Sequence, residues 1–160
     1  MNFSENSRVW IYQADRNLAP QELTSIQNRL NTFTATWEAH GKVLKAAAEI
    51  KYNRFIIFMV DEAQASVTGC SIDKSVAVLK TIEQEFNLSL FDRMQIAYRD
   101  ENGIQVCSKP AFETLIAKGL VTEDTVVFNN LAHTYGAFQT AWEVSAQKSW
   151  HSTLFSKFLI

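Results

Sequence analysis

Cys70 carries the clearest chemical signal in this chain, because it lies just ahead of a predicted helix start in the stretch Gly69–Ser75. The N-terminus of a helix has a partial positive charge and free N–H groups, and both stabilise a thiolate. Since the thiolate is the reactive form of cysteine, this position predicts a nucleophile or a redox thiol. Such a site also needs a base and an acid that orients the base. The candidate bases are His133 and His151, and the candidate acids are Asp61 and Asp73.

A structural role is the alternative for Cys70, because cysteine is among the most frequently buried residue types. In that interpretation the thiol fills a tight space beside Gly69, and Ser71 or Asp73 caps the helix. A reactive thiol should instead line a cleft with a base in hydrogen-bond reach. The accessibility of Cys70 therefore discriminates between the two hypotheses.

Aromatic and amide side chains toward the C-terminus form a second candidate site. The chain has four tryptophans, and Trp142 and Trp150 lie in its less regular final part. Because exposed aromatic side chains are enriched at interfaces, Trp150 predicts contact with a protein partner or with a second copy of the chain. His151 could read a ligand there, and Asn129 and Asn130 could hydrogen-bond a ligand or form a turn after a strand.

Composition argues against several classes of function. The net charge of −2 comes from interspersed acids and bases, so nucleic acid is not an expected partner. Two cysteines and three histidines are scattered without a closely spaced pair, so neither a metal nor another cofactor is expected. No apolar run is long enough for a membrane span, and the first residues lack the features of a signal peptide. We therefore expect a cytoplasmic protein whose thiols stay reduced.

Hydrophobic spacing predicts the elements of the first half of the chain. Arg8–Gln13 is typical of a strand, and a helix follows at Pro20–Ala39, with Gly41 placed to end it. Val43–Ile50 and Arg54–Val60 predict the two arms of a hairpin. The second arm is apolar on both faces, so we expect it in the interior of a sheet. The helix should bury one stripe, formed by Leu23, Ile26, Leu30, Phe33 and Trp37.

The middle of the chain predicts a helix, a hairpin and a second, shorter helix. The first of these helices follows the cysteine motif and ends near Asn87. Met94–Tyr98 and Ile104–Cys107 are typical of paired strands, joined by a turn at Asp100–Gly103. Ser108 is then placed to cap the shorter helix.

The C-terminal part predicts a short strand at Thr125–Phe128 and a last helix. The segment Trp142–Ile160 is too apolar for a solvated tail, so we expect it to pack on its own domain or on a partner. Hairpins mixed with helices predict one α+β domain over residues 1–160, with a mainly antiparallel mixed sheet and helices packed on one face. The last helix is expected to place Leu131, Tyr135, Phe138 and Trp142 on one stripe.

A resemblance rests on several runs that cover nearly the whole chain, namely Val9–Tyr12, Phe55–Glu62, Gly69–Asp73, Phe91–Arg93, Asp124–Asn130 and Ser149–His151. Together they resemble a family of small uncharacterised bacterial proteins of about this length. Members of that family often carry the automatic label "ABC transporter ATPase". The resemblance implies no catalytic residues.

The ATPase label can be tested against the residues. A P-loop requires G-x-x-x-x-G-K-[ST], because glycine amides cradle the phosphates and the lysine reaches the β and γ oxygens. The only Gly-Lys pair is Gly41-Lys42, which is followed by Val43, and Thr36 occupies the position of the first glycine. We therefore expect neither ATPase activity nor specific binding of a nucleotide.

Overall fold

The computed structural model describes residues 2–158 and divides into two compact units. Unit 1 comprises residues 2–91 and 133–136, and unit 2 comprises residues 92–132 and 137–158. Helices and antiparallel sheets occur in both, so the fold is α+β, as the sequence predicts. Each unit is described by itself below, and one domain over residues 1–160 stays a prediction.

Unit 1 is built on a three-stranded antiparallel sheet of order β1-β5-β4. These strands are β1 (Arg8–Gln13), β4 (Lys45–Lys51) and β5 (Phe55–Asp61). The prediction of an interior strand is confirmed, because β5 pairs on both sides and residues 55–60 are all buried. Tyr52 and Asn53 join β4 to β5 with φ angles of 55° and 57°, which is the geometry of a tight hairpin.

Two helices, α1 (Pro20–Ala35) and α2 (Gly69–Phe86), pack on one face of this sheet. Strand side chains alternate between faces, so Ile56, Phe58 and Val60 of β5 point together into the core that these helices cover. The predicted stripe of α1 faces the same core. Within it Ile26, Leu30 and Trp37 are buried, and Leu23 and Phe33 are partly buried.

The end of α1 differs from the prediction, because the helix stops at Ala35 and not at Ala39. Trp37 therefore lies beyond the helix, although its ring is buried and its Nε1–H donates to the carbonyl of Ser71 at 2.8 Å. The chain next forms a small hairpin of β2 (Glu38–Ala39) and β3 (Lys42–Val43). Gly41, with φ of 76°, makes this turn and does not end the helix.

Unit 2 contains a four-stranded sheet of order β7-β6-β8-β9. Its strands are β6 (Gln95–Asp100), β7 (Gly103–Ser108), β8 (Val126–Phe128) and β9 (Glu143–Ser145). The predicted hairpin between β6 and β7 is confirmed, and Gly103 supplies the positive φ of 109° at its turn. Every strand pair in the described residues is antiparallel, in agreement with the mainly antiparallel arrangement that the sequence predicts, and the strands form three sheets.

The helices of unit 2 are short. Ser108 caps α3 (Lys109–Ala117) by accepting a hydrogen bond from the Ala111 N–H at 3.2 Å, as predicted. The last helix, α4 (Tyr135–Ala141), is shorter than the predicted stripe, and its first two residues belong to unit 1. Leu131 lies before this helix and is exposed, whereas Trp142 lies after it and is buried.

Three 3-10 turns, Ala146–Lys148, Trp150–Leu154 and Ser156–Phe158, complete unit 2. Leu154 and Phe155 join Phe112 of α3 in a buried cluster, so the C-terminal segment packs on the core of its own unit. Leu159 and Ile160, which the sequence also assigns to this packing, lie outside the described residues. Within residues 2–158, no helix is both long enough and apolar enough to cross a membrane.

Candidate functional site

Cys70 lies inside the first turn of α2 and not ahead of it, because Thr68 is the N-cap. The Thr68 side chain accepts a hydrogen bond from the Ser71 N–H at 3.0 Å, and the Ser71 hydroxyl oxygen accepts one from the Thr68 N–H at 2.7 Å. This reciprocal pair satisfies two backbone donors and fixes the start of the helix. The helix cap is therefore Thr68, and neither Ser71 nor Asp73 takes that position.

The Cys70 side chain is exposed. The space beside Gly69 is open, since a Cβ built there would meet no atom within 4 Å. The interpretation of Cys70 as a buried residue in a tight space is therefore wrong. Asp73 is also exposed and lies three residues further on, hence on the same face of α2.

Of the other partners proposed for the thiol within unit 1, Asp61 is engaged elsewhere. The Asp61 carboxylate accepts a hydrogen bond from the Ala63 N–H at 3.0 Å and lies 3.5 Å from the Lys45 ammonium. His133 is exposed, and its carbonyl accepts a hydrogen bond from the Val9 N–H at 3.1 Å. Asp61 thus performs the turn and ion-pair chemistry that carboxylates usually perform after a strand.

His151 belongs to unit 2, whereas Cys70 and Asp73 belong to unit 1. Its side chain is only 1% exposed, and its Nδ1 lies 2.7 Å from the Ser149 hydroxyl oxygen, which is also buried. Burial lowers the pKa of His151 from its ordinary 6.5 to about 4, because the protonated ring would lose its hydration. The imidazole is therefore neutral near pH 7 and packs like a core residue.

Trp150 stacks on His151, with ring centroids 3.9 Å apart and an angle of 25° between the planes. The other neighbour of the imidazole is the ring of Phe112, whose centroid lies 6.2 Å away. Trp150 is 37% exposed, so one part of its ring meets solvent while His151 supports another. An aromatic side chain is thus held in place at the surface by a buried base.

Asn129 and Asn130 form the turn after β8. The Asn130 carboxamide oxygen accepts a hydrogen bond from the Trp142 Nε1–H at 2.9 Å, and the Asn129 carboxamide oxygen accepts one from the Leu131 N–H at 3.2 Å. Both oxygens are therefore used inside unit 2 to fix this turn and the buried Trp142 ring. Their geometry matches the turn interpretation.

Sequence reasoning singled out Trp150 as an exposed aromatic side chain but missed the exposure of other apolar side chains. Leu131 was expected on a helix stripe, and Met94 was expected in a strand. An exposed residue beside a turn glycine or at an element boundary can be recognised only once the boundary is known. The exposed members in unit 2, with the fraction of each that meets solvent, are Met94 (66%), Leu120 (69%), Leu131 (64%), Trp150 (37%) and Phe158 (40%).

A groove of about 640 Å³ runs between α1 and α2 in unit 1. Arg29 lies in it, forms an ion pair with Glu85 and stands over the Phe86 ring, 5.9 Å from its centroid. The hydroxyls of Thr32 and Thr36 also line it, but each donates to a carbonyl of its own helix. The Arg29 Nη1 atom is buried without a hydrogen-bond partner. Cys70 is not part of this groove.

No group of three or more metal-ligating side chains that could hold a metal ion occurs in the part of the chain that the structure describes. The Gly41-Lys42 pair lies in the β2–β3 hairpin, whereas a P-loop lies between a strand and a helix. Comparison of the chain with models of protein families, with curated proteins and with solved structures gives no match.

Proposed function

We propose that this protein is a non-catalytic cytoplasmic binding domain, and that it contacts a protein partner or a second copy of itself through its C-terminal aromatic surface. That surface is defined by Trp150 and Phe158, which are both exposed. The observation that carries the proposal is the stack of Trp150 on the buried His151. We also propose, from the resemblance of its sequence, that the chain belongs to a family of small bacterial proteins.

The stack favours binding because it lowers the entropic cost of contact. A free side chain loses about 0.5–1.5 kcal/mol of conformational freedom when a partner immobilises it. The Trp150 ring already rests on His151. The backbone carbonyl of Trp150 accepts a hydrogen bond from the Thr153 hydroxyl at 2.9 Å. Rigid, partly buried aromatic side chains of this kind dominate the binding energy of many interfaces.

The packing of the C-terminal segment supports the same proposal. Leu154 and Phe155 anchor the segment in the core of unit 2, so Phe158 and Trp150 flank buried anchors. Exposed side chains that flank buried anchors have a fixed position in space. A binding surface needs such preorganisation if contact is to be specific.

Photo-crosslinking in cells tests the proposal. We expect a photoreactive amino acid in place of Trp150 to give a discrete adduct, identified by mass spectrometry as one protein or as this chain itself. The matched control is the same replacement at Gln84, which is exposed on α2 of unit 1. Adducts that are equally frequent at both positions, or absent at position 150, would contradict the proposal.

A cysteine-dependent enzyme or redox protein is the alternative, favoured by one observation, the exposure of Cys70 in the first turn of α2. Cys107 provides an internal comparison, because it is half-buried and burial raises the pKa of the Cys107 thiol. Alkylation followed by peptide mass spectrometry should therefore modify Cys70 faster than Cys107. The enzyme alternative fails if Cys70→Ser leaves every activity found in the wild-type protein unchanged.

ATP binding is not part of either proposal. Isothermal titration of the protein with Mg-ATP should give no saturable heat, because the sequence lacks the glycine amides and lysine that hold the phosphates. Saturable binding in the micromolar range would overturn this expectation and would support the ATPase label.

A further inference from the structure

β7 is an edge strand of the four-stranded sheet in unit 2. In unit 2 this strand is the last of the order β7-β6-β8-β9, so β6 pairs with one side of it and no strand of the unit pairs with the other. Alternate residues of an edge strand direct their N–H and C=O groups away from the sheet. Residues 103–108, Gly-Ile-Gln-Val-Cys-Ser, contain neither a charged residue nor a proline. Such an edge is a template for pairing with another chain.

The other edge strands of the three-stranded and four-stranded sheets differ from β7. β4 carries Lys45, Glu49 and Lys51, and charged side chains discourage pairing at an edge. β1 is met at one end by a bridge between Arg8 and Thr134. β9 is only three residues long. The comparison singles out β7 as the edge suited to pairing.

The shape of β7 also suits pairing. Its six residues are matched one to one with β6 from Ser108 to Gly103, without a bulge that would twist the edge away. Cys107 packs against the buried cluster that contains Phe112 and Ile116 of α3. The strand is therefore regular and supported on one face by a core.

The charges beyond the ends of β7 indicate what pairs with it. Asp100 and Glu101 stand at the turn before the strand, and Lys109 follows the strand directly. An antiparallel copy would place the acidic turn of one chain beside Lys109 of the other, at both ends of the contact. The edge is thus complementary in charge to itself.

We propose that β7 pairs antiparallel with β7 of a second copy of this chain, across a two-fold axis, to form one continuous sheet. This inference rests on the proposed function, because it names a second copy as a binding partner. Opposed residues of a sheet project from the same face, and successive residues of a strand project from opposite faces. The two-fold axis must therefore lie where one residue of β7 is opposite the same residue of the second copy. Near the middle of β7 that residue is Gln105 or Val106.

Sedimentation equilibrium over a range of concentrations tests the pairing. The wild-type chain should dimerise, and Gln105→Lys should raise the dissociation constant at least about tenfold, because two like charges would meet near the axis. Gln139→Lys is the matched control, since Gln139 is exposed on α4 and should leave the dimer unchanged. Circular dichroism establishes that both variants are folded.

Cysteine trapping gives an independent readout of the register. In a Cys70→Ser, Cys107→Ser background, oxidation should produce a covalent dimer from either Gln105→Cys or Val106→Cys, but not from Gln139→Cys. A wild-type chain that stays monomeric at every concentration, or a dimer that Gln105→Lys leaves intact and neither cysteine traps, would overturn the pairing.

The two proposals can fail separately. Adducts at position 150 that persist in the Gln105→Lys variant, together with failure of the edge tests, would refute the pairing and leave the C-terminal aromatic surface standing. An edge dimer without any adduct at position 150 would support the pairing and refute the role of that surface.

Discussion

Unit 1 and unit 2 differ in what they present at their surfaces. Unit 1 exposes only Val43 and Tyr52 among the large apolar side chains of the described residues, whereas unit 2 exposes five. The edge strand β4 of unit 1 carries charges, and the edge strand β7 of unit 2 carries none. Apolar surface and an unprotected edge in one unit support the proposal that this unit contacts other molecules.

The two units also differ in their ionisable groups. In unit 1 the guanidinium of Arg16 donates hydrogen bonds to the Glu22 carboxylate at 2.8 and 2.9 Å, and these hold the pKa of Glu22 at about 2, below its ordinary 4.5. In unit 2 the ionisable His151 is buried in its neutral form. Protonation of these two groups should therefore destabilise the two units over different ranges of pH.

Substitution of a buried phenylalanine in either core should have the largest effect on the free energy of unfolding. Phe58 in unit 1 and Phe112 in unit 2 are both fully buried, so each Phe→Ala substitution should lower the free energy of unfolding by about 3–5 kcal/mol. Hydrogen exchange followed by mass spectrometry reports the loss of protection for each unit. If the units are independent, Phe58→Ala should weaken residues 2–91 and leave residues 92–132 unchanged.

The same experiment sharpens the question of one domain. Equal loss of protection in both units from either substitution would show a single cooperative domain over the described residues. Loss of protection confined to the substituted unit would contradict the prediction of one domain over residues 1–160.

The next effect concerns pH. The pKa of His151 is about 4 in the folded chain and near 6.5 when the chain unfolds, so the unfolded state binds more protons between these values. The free energy of unfolding should therefore have its full value above pH 6.5 and should fall by about 3 kcal/mol as the pH drops to 4. Denaturant unfolding at several pH values measures this slope.

Two variants separate the units in that experiment. His151→Phe should flatten the slope between pH 6.5 and 4, because no proton can then bind at this position. Glu22→Gln should leave that slope intact, because the lowered pKa of Glu22 stabilises the folded chain only above the range from pH 4.5 to 2. This variant should remove only the loss of stability that begins as the pH falls below 4.5 toward 2. An unchanged slope in His151→Phe would contradict the assignment.

The smallest expected effect comes from the helix caps. Thr68→Ala in unit 1 and Ser108→Ala in unit 2 should each cost about 1 kcal/mol of stability, because each removes an acceptor for a free N–H group. Thr68 should cost more, since it forms a reciprocal pair with Ser71. Thermal unfolding of the two variants beside wild type compares them, and a larger effect of Ser108→Ala would reverse the ranking.

Sequence reasoning succeeded where a signal was local and strong. The two-sided apolar run of β5 predicted an interior strand, and Asn87, with φ of 53°, ends α2 as expected. The end of α1 was missed because Trp37 continues the helical spacing although the helix has stopped. β9 has only three residues, too few to show a period, so its pairing with β8 had no signal in the sequence.

The candidate site was predicted less well, because contacts distant in sequence decide it. Thr68 and Ser71 have the spacing of a capping box, and that signal could have placed Cys70 inside the helix. The burial of His151 depends on Phe112, which lies in another part of the chain. No spacing along the sequence reveals that contact.

Hydrogen exchange at low and high protein concentration tests the central claim, that two copies of the chain pair through β7 of unit 2, most directly. The account predicts that residues 103–108 of β7 gain protection as the concentration rises, while residues 45–51 of β4, the charged edge of unit 1, do not change. No change in residues 103–108, or an equal gain in residues 45–51, would contradict it.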